Sequence, residues 1–139
     1  MKTYFTIEEL CKSDKAAKYK IDNTPTATVK KNLKELIAFL NPLREAWGSA
    51  IRVTSGYRCE KLNRLVGGSV TSVHKIGFAA DLYPVNGKFA DFKKFIKKYL
   101  IDKNFDQLIL EKSATSQWIH LGLKNNSGKQ RRQVFNLYV

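Results

Sequence analysis

The sequence predicts an α+β fold, a single domain of 139 residues in which helices flank a small, mostly antiparallel sheet. Three observations carry this reading. Apolar residues recur at helical spacing from Val29 to Leu43. A second helical pattern, with a basic outer face, occupies residues 88–100. Residues 105–111 and 117–123 read as two strands joined by a polar stretch of hairpin length, residues 112–116.

Taken in order, Thr6, Ile7, Glu8 and Glu9 fit a capping box that opens a short helix through Leu10. Residues 13–23 are lysine-rich and read as irregular, so residues 1–23 are an N-terminal helix and an irregular segment. Thr24 then reads as an N-cap, with Pro25 at the first helical position. Behind it Val29, Leu33, Leu36, Ile37, Leu40 and Leu43 carry a helix to about Trp47, and Gly48 ends it. Residues 50–54 form a short β-branched strand, residues 55–58 a turn, and residues 59–65 a short helix closed by Gly67 and Gly68. After a loop around His74, residues 79–83 read as a strand ending at Pro84. Phe89, Phe92, Phe95, Ile96 and Tyr99 define the apolar side of the next helix. Beyond the hairpin, residues 132–138 add an edge strand. There is no internal repeat and no low-complexity linker.

Composition narrows the classes. Hydrophobic residues make up 43% and aromatics 12%, which excludes a disordered chain. No apolar run approaches the ~20 residues of a membrane span. The N-terminus runs into Glu8 and Glu9 without a signal-peptide hydrophobic stretch. Cys11 and Cys59 have no CxxC spacing and are expected as free thiols. A net charge of +13 suits either a solvated surface or contact with polyanions, among them an anionic cell envelope. The lysines are spread along the chain with no nucleic-acid-binding signature, so no specific nucleic-acid partner is expected.

The chemistry points to two histidines. The chain has only His74 and His120. His74 leads toward Asp81 through Gly77, Ala79 and Ala80, residues small enough for the backbone to fold back on itself. His120 sits in an apolar strand, sharing a face with Trp118 and Gly122 by two-residue alternation. Two imidazoles and a carboxylate suit a zinc ion with one open coordination position at the sheet face. By spacing alone, a hydrogen-bonded core histidine and a strand-end cap by Asp81 compete with that reading.

The run Ser72-x-His74-x-x-Gly77-x-Ala79-x-Asp81 resembles the signature of the zinc D-Ala-D-Ala carboxypeptidases and related phage-type peptidoglycan peptidases. Trp118-Ile119-His120 is similar to their second histidine motif. Ser55-Gly56-Tyr57-Arg58, Asn63-x-x-Val66-Gly67-Gly68 and Phe105-Asp106-Gln107-Leu108-Ile109-x-Glu111 match as well, in the family's order. The resemblance implies zinc held by His74, Asp81 and His120. It implies hydrolysis of peptidoglycan peptide bonds next to D-amino acids, by a carboxypeptidase or an endopeptidase. Arg58 would pair with the oxyanion or the substrate carboxylate, and Ser72 would contact substrate. Many members carry an acid three residues before the second histidine, where this chain has Gln117. Glu111 is the replacement general base, the other possibility being a solvated hairpin-end carboxylate. Gln107 and Gln117 complete the expected substrate contacts. With the base lost, the domain would instead bind cell-wall peptide with weak or no catalysis. A monomer is expected, made in the cytoplasm without a signal peptide and acting at the wall after phage-type release or in a virion.

Overall fold

A computed structural model describes residues 2–139. Its elements are α1 (Ile7–Cys11), α2 (Asp14–Lys18), α3 (Ala27–Trp47), β1 (Ile51–Ser55), α4 (Glu60–Leu65), β2 (Ala79–Pro84), α5 (Phe89–Tyr99), β3 (Gln107–Lys112), β4 (Gln117–Gly122) and β5 (Gln133–Tyr138). One 3-10 turn, Val73–Ile76, precedes β2, and another, Leu100–Asp102, follows α5. The five strands lie in the order β1-β2-β4-β3-β5. All neighbours are antiparallel except β3 and β5, which are parallel. The fold is the expected α+β arrangement.

Alternation along the strands divides the sheet into two unlike faces. Ala80, Leu82, Leu108, Ile119 and Leu121 are buried on one face. They share a core with Leu33, Leu36, Leu40 and Leu43 of α3 and with Phe92 and Ile96 of α5. Fully burying one such leucine contributes about 1.5–3 kcal/mol, so this layer is what holds the sheet rigid. The other face carries the polar residues discussed below.

Several boundaries differ from the sequence reading, each for a local reason. Thr26, not Thr24, caps α3, its Oγ1 accepting from the Val29 amide at 3.2 Å. Thr24 is held in a turn by Asp22, whose Oδ1 accepts from the Thr24 amide and hydroxyl. Within the lysine-rich stretch Ser13 caps α2, accepting from the Ala16 amide at 3.1 Å, and Ala16 is buried. The lysines there stay exposed and mask this short helix in composition. The His74 segment is a 3-10 turn rather than a loop, capped by Ser72. Residues 105 and 106 precede β3 rather than opening it. The Thr6 cap of α1 is as expected. Cys11 and Cys59 are free. Among the described residues no helix is long and apolar enough to cross a membrane.

Asp106 anchors the last strand. It is buried, and the Arg131 guanidinium donates to both its oxygens at 2.7 and 2.9 Å. The Arg131 amide adds a third bond, and the Gln133 amide donates to the Asp106 carbonyl as β5 begins. Burial pushes the Asp106 carboxyl up, but the hydrogen bonds and charge of Arg131 outweigh it and hold the group below its ordinary value. A depressed folded pKa contributes stability above the unfolded value of about 3.9 and loses it as pH falls through the folded one. Asp106→Asn is therefore expected to be less stable than the parent at pH 7, with the gap narrowing as the pH falls below the unfolded carboxyl's value. Urea denaturation at neutral and at acid pH checks this, and an equal gap at each would refute it.

Candidate metal centre

His74 is buried in the turn between α4 and β2, with 3% of its surface exposed. Its Nδ1 lies 2.7 Å from the Gly56 carbonyl oxygen. A carbonyl only accepts, so Nδ1 carries the proton and Nε2 presents its lone pair. Gly56 must be glycine for this contact: a Cβ there would lie 2.1 Å from the Leu10 carbonyl oxygen. That same oxygen accepts from the Tyr57 amide at 2.7 Å, which fixes the turn against α1. On the other side Gly77 closes the 3-10 turn with φ +83°, a left-handed conformation that suits glycine.

Asp81 and His120 come from β2 and β4, where they are directly opposed. Asp81 Oδ1 lies 3.3 Å from His74 Nε2 and 3.2 Å from His120 Nδ1. One donor atom from each of the three residues falls within 4.8 Å of the others. The two imidazole rings are 5.1 Å apart at 65°. Burial would raise the Asp81 carboxyl, but the charge of His74 and hydrogen bonds from His120 and His74 hold it well below the usual carboxylate range.

These residues fit a zinc ion. Zinc–nitrogen and zinc–oxygen bonds of ~2.0–2.1 Å at tetrahedral angles place ligand atoms about 3.3–3.4 Å apart. The two separations to Asp81 Oδ1 match that edge. With Nδ1 turned to the Gly56 carbonyl, His74 has its Nε2 available to a metal ion held beside Asp81 Oδ1. The nitrogen–nitrogen–oxygen set, with two imidazoles and one carboxylate, is a donor set zinc accepts.

The cluster opens into a cleft of about 810 Å³. The register places Ile109 opposite His120 and Glu111 opposite Trp118, so Glu111 faces the cleft. Trp118 Nε1 donates to Glu111 Oε2 at 3.1 Å. Burial, then the charge of Asp81, raises the Glu111 carboxyl, against the lowering effect of His120, Trp118 and His74. Arg58 lines the opposite side. Its amide donates to the His74 carbonyl at 3.1 Å, and its Nη2 donates to Ser72 Oγ at 3.2 Å. Its buried Nε has no hydrogen-bond partner among the described residues, leaving a donor free. Burial lowers the Arg58 pKa, while Asp81 and Glu111 oppose that shift.

Seven of the eight residues singled out from sequence line this one cleft: His74, Asp81, His120, Glu111, Arg58, Ser72 and Gln107. Gln107 also donates to the Gln133 side chain at 2.8 Å. Gln117 is the exception. It pairs with Lys112 and borders a separate depression beside Phe89 and Lys93, because an odd separation from His120 sends its side chain to the other face. Trp118, on the strand face shared with His120, holds Glu111 directly. Tyr57 is buried in the core. The Gly56 carbonyl and the cleft residues of β5 carried no signal in the sequence, since both act through tertiary placement.

Zinc is expected to raise the thermal midpoint of the chain at a stoichiometry of one ion. The gain should approach about 2.7 kcal/mol when the free ion is a hundredfold above its dissociation constant. Asp81→Ala should remove the response. A parent protein whose midpoint ignores zinc under those conditions would rule out the centre.

Comparison with known proteins agrees with the geometry. No curated protein matches the chain. The family model described as Peptidase M15 matches residues 3–122. That span contains every residue of the metal cluster, together with Arg58, Ser72, Gln107 and Glu111. The chain therefore belongs to the M15 peptidase family, that of the zinc D-Ala-D-Ala carboxypeptidase-like metallopeptidases.

Proposed function

We propose that this chain is a zinc-dependent hydrolase of peptidoglycan peptides, cutting an amide bond next to a D-amino acid as a carboxypeptidase or an endopeptidase. The observation that carries the reading is the convergence of His74 Nε2, Asp81 Oδ1 and His120 Nδ1 at the floor of a cleft that also holds Glu111 and Arg58. When bound, zinc supplies a Lewis acid for the substrate carbonyl and lowers the pKa of water to ~7.

The chain's own groups do the rest. Glu111 takes the proton from the attacking water and delivers it to the leaving amine, and its raised pKa suits both halves of that task. Trp118 holds the carboxylate in place by its indole N–H. Arg58 offers its free Nε–H to the oxygen that gains negative charge, or to a terminal carboxylate of the substrate. Ser72, held by Arg58, and Gln107, at the far end of β3, orient the peptide. The net charge of +13 favours approach to an anionic envelope. A soluble monomer released to the wall by a phage-type route fits this role.

Glu111→Gln is expected to lower kcat by about 10²–10⁴ while leaving zinc content intact. The assay is release of peptide or D-alanine from purified peptidoglycan by the zinc-loaded protein. Unchanged turnover in Glu111→Gln would remove Glu111 as the base. If the parent releases nothing yet retains peptidoglycan fragments, the domain is a cell-wall peptide binder instead.

A further inference from the structure

The cleft has two unlike walls. On one side the segments around Thr71 and Asn126 present hydroxyls and amides, tied together where Asn126 Nδ2 donates to the Thr71 carbonyl at 2.8 Å. On the strand side Ile109, Trp118, Leu137 and Val139 line it beside Gln107 and Glu111. Two of these belong to the segment beyond residue 122, where the family match ends. Leu137 and Val139 remain 41% and 58% exposed. From Gln133 to Tyr138, β5 has no acidic or basic side chain in a chain of net charge +13.

This wall is built, not loosely attached. β5 pairs with β3 over six residue positions, and the Val139 amide donates to the Lys112 carbonyl at 2.9 Å. Arg131, bound to buried Asp106, anchors its start. The register sets Leu137 beside Glu111, which faces Trp118 on its other side. Strands lie ~4.8 Å apart, so Leu137 stands about 10 Å across the sheet from the strand bearing His120. An extended peptide advances about 3.4 Å per residue. A substrate side chain that reaches Leu137 therefore belongs to a residue about three positions or fewer from the bond held over the metal cluster. Exposed apolar groups beside a polar centre gain from a ligand only if it covers them with apolar surface.

We propose that Leu137 and Val139, with Ile109 and Trp118, form a subsite for an aliphatic side chain of the peptide, on a residue within about three positions of the scissile amide. The opposite, polar wall takes the main chain. The inference rests on the peptidase reading for the nature of the ligand, and its test separates the two. Zinc-loaded Glu111→Gln is titrated calorimetrically with acetylated tetrapeptides ending in D-alanine. Each of the three preceding residues is varied in turn between D-leucine and its polar isostere D-asparagine.

At one of these positions the D-leucine peptide is expected to bind about tenfold more tightly. Adding Leu137→Asn, or separately Val139→Asn, is expected to remove most of that preference. Circular dichroism confirms that each variant is folded, and the two independent variants guard against local damage. Equal binding of the two peptides, or a preference that both variants retain, overturns the subsite. If the preference holds while the parent cleaves neither peptide nor peptidoglycan, the subsite stands and the peptidase reading fails. If no peptide binds, the subsite is overturned, and cleavage by the parent then decides the peptidase reading alone.

Discussion

Asp81 and His120 face each other across an antiparallel pair of strands, and the site depends on that register. In the same row Ser55 lies beside Asp81, Ile109 beside His120, and Phe135 beside Ile109, so one line crosses all five strands. A slip of one residue would send every member of the row to the opposite face, exchanging ligands for leucines. The apolar layer beneath, with Leu82, Ile119 and Leu121 wholly buried, makes such a slip costly. The core thus stabilises the fold and also fixes where two of the three ligands stand. His74 is the outlier, since it arrives from a 3-10 turn whose position is set by α1 through the contact of Gly56 with Leu10. This gives the N-terminal helices a part in the site although none of their side chains lines the cleft.

Two imidazoles and a carboxylate stand close enough to share one cation. Asp81 is 15% exposed and His74 3%, and the proton on His74 Nδ1 is committed to a backbone carbonyl. His74 Nε2 and Asp81 Oδ1 are held 3.3 Å apart by the surrounding structure. Imidazoles and carboxylates ligate a metal only in their unprotonated forms, so metal affinity weakens as the medium is acidified. The carboxylate also shapes its neighbours. Its charge helps keep Arg58 protonated and raises Glu111, so filling the centre with a divalent cation alters both flanking groups at once.

How much of this was legible depended on whether the governing contact was local. The Ser72–Asp81 spacing and the Trp118-Ile119-His120 run were legible because a turn and a strand fix those side chains within a few residues. The long helix α3 and the face shared by His120, Trp118 and Gly122 followed from periodicity alone. The start of α3 was misplaced by two residues because Asp22 captures Thr24, and a competing side-chain turn is invisible to a cap rule applied to one residue. Helix α2 was hidden by its exposed lysines, although Ser13 and Asp14 are ordinary helix openers. The Asp106–Arg131 pair spans 25 positions, and nothing at either residue announces the other. The wall supplied by β5 is of the same kind: its residues look like any edge strand until parallel pairing sets them beside Glu111.

The choice between Gln117 and Glu111 shows what strand geometry adds to a motif. Three residues before a histidine is a natural place for a base only if the chain bulges or turns between them. In β4 the ladder runs unbroken from Gln117 to Gly122, so residue 117 points away from residue 120 whatever side chain it bears. A glutamate introduced there would face the depression beside Phe89 rather than the ligands. Position 111, one strand over and in register with Trp118, points the right way by parity and has a hydrogen-bond donor waiting for it. An amide at 117 is thus compatible with the role proposed for Glu111, which lies beside Trp118 on the cleft face.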